Sequence, residues 1–217
     1  MKLIFLGQHT EIVMIGNILM SDFWKNVWDS KGLSESEDLL FLDGYEHLGI
    51  DFNSASLHDG IVNCLGCNSG DSILEVGCGA GFLSREFSSE YNYVGCDYSQ
   101  SLVDKHRRMF PKHVIHCAEA SKLPFSDNEF DYSFCFGVYQ YLPDDKYADH
   151  MIKEMKRVAR RGILLGDLKE GATREEHLPC PKERLMNKDF KIMESFYDSN
   201  DCYRYNAHIC LLGEYNK

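Results

Sequence analysis

The chain has 217 residues, enough for one substantial hydrophobic core and short for two. An apolar fraction of 44% and a charged fraction of 26% are those of an ordinary globular protein and exclude fibrous or disordered classes. With 34 acidic against 23 basic residues the net charge is −11, which disfavours nucleic acid as a partner, since phosphate backbones attract a basic field.

Residues 1–20, MKLIFLGQHTEIVMIGNILM, are apolar but interrupted by Gln8, His9 and Glu11. Their clean runs fall far short of the roughly 20 residues that cross a bilayer, and no signal-peptide cleavage pattern appears, so a cytoplasmic protein without membrane insertion is expected. The segment reads either as an extension or as an extra edge strand. The domain is expected to start at residue 21, with Ser21 or Asp22 capping a helix through Trp28. Residues 21–70 read as an N-terminal helical cap and residues 71–217 as the core of the same domain. The 9 cysteines, an odd number spread through strand-like runs, read as reduced thiols rather than a disulfide framework. A Cys-x-x-Cys pair, Cys64 and Cys67, lacks the second pair a structural zinc site needs, and no metal is expected.

From residue 71 strands and helices alternate. SILEVG (72–77) is a short buried strand, AGFLSREFSSE (80–90) a helix, and YNYVGCD (91–97) a strand. SQSLVDKHRRMF (99–110) follows as a helix capped by Ser99, then HVIHC (113–117) and FDYSFCFG (130–137) as strands. Residues 144–161 form a long helix with Tyr147, Met151, Ile152, Met155 and Val158 at helical spacing, and GILLGDL (162–168) is the fifth strand. This alternation implies a parallel sheet with helices on both faces. Two last strand-like runs, 190–198 and 204–215, are joined by only five residues, which permits an antiparallel hairpin and no crossover. The expected fold class is therefore α/β, a Rossmann-like seven-stranded mixed sheet of five parallel strands plus a C-terminal antiparallel hairpin.

The turn after the first strand, ILEVGCGAGF (73–82), carries the chemistry. Ligands of open parallel sheets bind at the carboxyl ends of the strands. Gly77, Gly79 and Gly81 stand at alternate positions, with Phe82 where the dinucleotide fingerprint has its third glycine, and the Gly-Lys-Ser/Thr ending of a P-loop is missing. Asp97 ends the second strand, where a carboxylate can accept hydrogen bonds from both hydroxyls of a ribose. A ligand with a nucleoside but no pyrophosphate fits, and S-adenosylmethionine is such a ligand, with Glu75 helping to orient its ammonium group.

Four segments in order, LEVGCGAG (74–81), VGCDYS (94–99), AEASKLPFSDNEFD (118–131) and CFGVYQYLPD (135–144), resemble the motifs of class I S-adenosylmethionine-dependent methyltransferases. The resemblance implies that Gly77, Cys78, Gly79 and Gly81 line the methionine side, that Asp97 holds the ribose and that Tyr98 flanks the adenine. Glu119 and Ala120 fall where the family usually has Asp-Ala against the adenine edge, and Phe136 and Gly137 end the fourth strand beside the cofactor. Tyr141 stands at a position that is often His in related enzymes, touching cofactor or acceptor.

Methyl transfer to a hydroxyl needs a base. Asp167 after the fifth strand and His177 are the candidates and, with Tyr141, form the expected catalytic set. His47 falls on the cap, and His150 is expected on the surface of the long helix. Trp24, Trp28 and Tyr45 suit stacking on a sugar or aromatic ring, and equally suit packing of the cap. The Trp-rich start and the Arg204-Tyr205 strand resemble glycan-modifying methyltransferases, which implies O-methylation of a sugar or other small hydroxylated acceptor. Small-molecule N- or C-methylation and a non-catalytic cofactor-binding subunit are the alternatives, and the sequence leaves the oligomeric state open.

Overall fold

The computed structural model describes residues 23–46, 54–87, 90–172, 174–196 and 204–211. The expectations for residues 1–20, for a cap at Ser21 or Asp22, for His47 and for the loop joining the last two strands lie outside these residues. A helix over residues 23–33 (α1), a short helix Leu39–Leu42 (α2) and a helix Ser54–Leu65 (α3) precede the sheet. Seven strands follow: β1 Ser72–Val76, β2 Asn92–Asp97, β3 Val114–Cys117, β4 Phe130–Phe136, β5 Ala159–Lys169, β6 Lys191–Glu194 and β7 Arg204–Cys210. They lie in the order β3-β2-β1-β4-β5-β7-β6. The first five are parallel, and β7 runs antiparallel to both β5 and β6. Strand order reverses between β1 and β4, which opens a crevice at their carboxyl ends.

Strand alternation assigns side chains to two cores. Leu74, Val76, Cys135, Ile163 and Leu165 face one side, where α6 (Asp145–Val158) buries Ala148, Met151, Met155 and Val158. Ile73, Phe134, Phe136 and Leu164 face the other, against Leu57 and Ile61 of α3, Phe87 of α4 (Ser84–Phe87) and Val103 of α5 (Gln100–Met109). Helix starts follow ordinary capping chemistry: the Ser99 hydroxyl accepts from the Leu102 N–H, and the Asp144 carboxylate from the Tyr147 N–H.

Two boundaries differ from expectation. The helix expected through residue 161 ends at Val158, and β5 begins at Ala159. Ala159 pairs with Phe130 in the ladder, while Arg160 bonds Asp131 at 2.9 Å and Arg161 bonds Asp71 at 3.0 Å. Those ion pairs draw the arginines to the amino-terminal edge of the sheet, away from a helical path. The helix expected from residue 80 is assigned only over Ser84–Phe87, because residues 79–82 turn their N–H groups onto two carboxylates instead of starting a helix.

Candidate functional site

The crevice is a cavity of about 330 Å³ at the carboxyl ends of β1, β2 and β4, roofed by α1 and the turn after α2. That is room for one cofactor-sized ligand. Its floor carries Glu75, Gly77, Cys78 and Gly79 after β1, Asp97 and Tyr98 after β2, Glu119 and Ala120 after β3, and Phe136 and Gly137 after β4. Trp24, Trp28, Asp43, Tyr45 and Tyr141 close it from above.

The glycine loop is bonded throughout by the protein itself. The Gly77 and Cys78 N–H groups donate to the Cys96 carbonyl at 2.8 and 3.0 Å, and the Gly79 N–H to Asp97 Oδ2 at 3.0 Å. Asp43 takes the next three: Oδ1 accepts from Ala80 at 2.6 Å, and Oδ2 from Gly81 at 3.1 Å and Phe82 at 2.7 Å. The loop's glycines answer first to protein neighbours. Gly79 has φ +49, and a Cβ there would run into the Asp43 carboxylate; one on Gly77, φ +80, would run into Val138. From below, His106 of α5 meets the Gly79 carbonyl through Nδ1 at 3.0 Å, and its Nε2 lies 3.1 Å from Nδ1 of His113. Burial holds the His106 imidazole down to about 4, so it stays neutral.

Three carboxyl groups face the cavity with their pKa values pushed up by burial: Glu75 to about 8, Asp43 to about 7 and Asp97 to about 6. Hydrogen bonds oppose each shift, from the Tyr93 hydroxyl to Glu75 Oε2 at 2.6 Å, and from the Gly79 and Ser99 N–H groups to Asp97. Acids held partly protonated by burial favour a cationic ligand, which would return them to the ionised form.

Eleven of the expected cofactor and catalytic residues lie on this wall, Glu75, Gly77, Cys78, Gly79, Asp97, Tyr98, Glu119, Ala120, Phe136, Gly137 and Tyr141, as do Trp24, Trp28 and Tyr45 of the cap. Gly81 lies behind it; a Cβ there would meet Phe110 and Ser84 at 2.8 Å. Asp167 and His177 also lie off the wall. Asp167, at φ +57 in the irregular stretch of β5, is buried, is bonded by the Arg204 guanidinium, and donates its N–H to Asn206 Oδ1 at 3.0 Å. His177 stacks on Trp24 with centroids 5.3 Å apart, and burial, aided by Lys169 and Arg174, lowers its pKa to about 4. Tyr141 meets the edges of both tryptophans, at 4.6 and 5.0 Å, with its phenol pushed up to about 12 by burial. His150 is exposed on α6. The Cys64 and Cys67 thiols are likewise raised by burial, to about 11 and about 12. Among the described residues no group of three His, Cys, Asp or Glu side chains is placed to hold a metal ion, and no helix is long and apolar enough to cross a membrane.

Asp43 is among the wall residues that sequence reasoning missed, with Lys25, Leu102, Val138 and Leu142. The local signal at Asp43 was Asp-Gly after the apolar run LLFL, which marks a helix end and not the direction of a carboxylate.

Residues 73–162 match the family described as Methyltransferase domain. A demethylmenaquinone methyltransferase of Beutenbergia cavernae is 30% identical over 103 residues, 46% of this chain and 41% of that protein. The chain spans less than half the length of the curated relatives it matches. Among solved structures, magnesium protoporphyrin IX methyltransferase from Synechocystis with bound S-adenosylmethionine aligns at TM-score 0.58 and 15% identity, covering 89% of this chain and 96% of that one. Phosphoethanolamine N-methyltransferase 1 of Haemonchus contortus aligns at TM-score 0.69 and 12% identity, covering 93% of this chain and 51% of that one. These structural likenesses establish the fold. Residues 73–162 thus match a methyltransferase domain, and the chain carries the fold of class I methyltransferases.

Proposed function

We propose that the chain transfers the methyl group of S-adenosylmethionine to a small acceptor, with a sugar hydroxyl as the acceptor read from the aromatic cap. One observation carries the cofactor half: every N–H from Gly77 to Phe82 is already donated within the protein, four of them to the Asp97 and Asp43 carboxylates. A loop that cradles a pyrophosphate needs those groups free. This one turns acids toward the cavity instead, which suits a nucleoside whose other end is an ammonium and a sulfonium. Asp97 would hold the ribose, Glu75 the ammonium, Tyr98 the adenine face, and Glu119 with the Ala120 backbone the adenine edge. Phe136 and Gly137 would flank the reacting end. Bound S-adenosylmethionine supplies a methyl group already activated by its sulfonium, so the protein's share is alignment, exclusion of water and acceptance of any acceptor proton.

Trp24, Trp28 and Tyr141 present ring edges and faces over the cavity, a surface that supports the flat apolar face of a sugar or an aromatic ring. A second reading, transfer to nitrogen or carbon, is favoured by Asp167 and His177, the two candidate bases, standing off the cavity wall. Calorimetric titration with S-adenosylhomocysteine tests the cofactor half, with micromolar binding expected. Transfer of labelled methyl from S-adenosylmethionine to panels of sugars, nucleotide sugars, quinols and amines then tests the acceptor. Transfer confined to amines or ring carbons would overturn the sugar reading, and binding without transfer to any panel would favour a non-catalytic subunit.

A further inference from the structure

The part of the cavity furthest from the expected chemistry of the fold is Asp43. It belongs to the cap, 37 residues before Ala80, yet its two oxygens take three consecutive N–H groups of the glycine loop. Consecutive N–H groups converging on one point form an anion nest, the device other folds offer to phosphate. Here the chain fills the nest with its own carboxylate.

Asp43 is rigidly presented. α2 is capped at its start by the Asp38 carboxylate, which accepts from the Leu40 N–H at 3.0 Å. At its end the Gly44 N–H donates to Phe41 and the Tyr45 N–H to Leu40, at 3.3 and 2.7 Å, with Gly44 at φ +82. That pair of bonds is a Schellman closure, which fixes the residue before the glycine. The Trp28 ring packs where a Gly44 Cβ would be, at 2.8 Å, so α1 supports the same turn. Elsewhere the cap is tied to α5: the Ser99 hydroxyl donates to Asp29 at 2.6 Å, and Lys105 donates to the Ser34 and Ser36 carbonyls at 2.5 and 2.9 Å.

The geometry points to Asp43 as a positioning and specificity residue: it latches the aromatic cap onto the glycine loop by filling the loop's anion nest, holding the loop in its cofactor-binding form and closing it to phosphate. This inference rests on the reading of the cavity as an S-adenosylmethionine site. Loop and cap are then one unit, so that the tryptophans that would meet the acceptor are registered against the backbone that meets the cofactor.

The test uses the full chain and the variants Asp43→Ala and Asp43→Asn, the second keeping size and one acceptor oxygen while removing the charge. In ligand-free protein, hydrogen exchange at the Ala80, Gly81 and Phe82 amides is expected to accelerate at least tenfold in both variants, with the β1 and β4 amides unchanged. S-adenosylhomocysteine affinity is expected to fall at least tenfold in Asp43→Ala and to recover in part on adding acetate, whose carboxylate can enter the vacated nest; a residue that merely stabilised the fold would show no such rescue. Unchanged exchange at residues 80–82, unchanged or tighter cofactor binding, or a loss that acetate does not relieve would overturn the latch. If the native protein binds no S-adenosylhomocysteine, the cofactor reading fails by itself, and the exchange measurement still decides whether Asp43 holds the loop.

Discussion

The floor and the roof of the cavity are built by different means. On the floor, Glu75, Asp97 and Phe136 sit near the carboxyl ends of strands held by parallel ladders, so backbone pairing places them. The roof has no ladder. Its residues are held by side-chain contacts with distant parts of the chain: the Trp24 indole N–H donates to the Glu176 carbonyl at 2.9 Å, Trp28 packs on Tyr141, and Asp43 accepts from three N–H groups of the glycine loop. The floor is thus set by strand pairing, while the roof depends on side chains, and Asp43 is where the two meet. The strand-end residues of the floor are therefore legible from motifs, and the side chains of the roof are not.

The contrast can be broken from either side. The largest effect is expected on the floor: Asp97→Ala should weaken S-adenosylhomocysteine about 100-fold by calorimetry, since hydrogen bonds to a charged group contribute about 1.5–3 kcal/mol each and the Gly79 and Ser99 N–H groups also lose their acceptor. A loss of less than fivefold would remove Asp97 from the ribose role. On the roof, Lys105→Met should cost about 1–3 kcal/mol of stability in a denaturant titration, with faster exchange in residues 34–42 and little change in the sheet, because two carbonyls lose a buried cationic donor. Exchange that rises equally in sheet and cap would show that the two parts are not separable.

Proton linkage sharpens the same comparison. Burial raises the floor acids Glu75 and Asp97 to about 8 and about 6 and Asp43 of the roof to about 7, above their unfolded values near 4. Between those limits the folded protein binds more protons than the unfolded, so ligand-free stability should fall as pH rises from about 5 to 8. A cationic ligand that ionises these acids should release protons on binding near pH 7, readable as a dependence of the binding enthalpy on buffer ionisation. Proton uptake instead would contradict a cation in this cavity. The smallest effect is expected at His177: replacement by Asn should leave cofactor affinity within twofold, and a rate profile should show no ionisation from this imidazole between pH 6 and 8, given its value of about 4.

The alternation of strands and helices and the antiparallel closing pair followed from periodicity and spacing, because each depends on neighbours close in sequence, while the strand-end residues followed from the family resemblance. Helix α6 overran its end on paper because Arg160 and Arg161 are good helix formers, and only the tertiary acids Asp131 and Asp71 draw them into β5. Asp167 looked available as a residue after a strand; the Arg204 that takes it comes from the antiparallel partner strand, a pairing that no local pattern announces. Asp43 escaped for the same reason, being fixed by a loop 37 residues away.

The chain has two tryptophans, Trp24 and Trp28, one helical turn apart in α1. Indole emission in this protein therefore originates wholly from the roof, and the seven-stranded sheet is dark to it. Fluorescence would follow the opening of one helix over the cavity while circular dichroism followed the body beneath, so the two melting curves, recorded on the unlabelled native chain, measure separately how firmly the roof is closed and how firmly the fold is made.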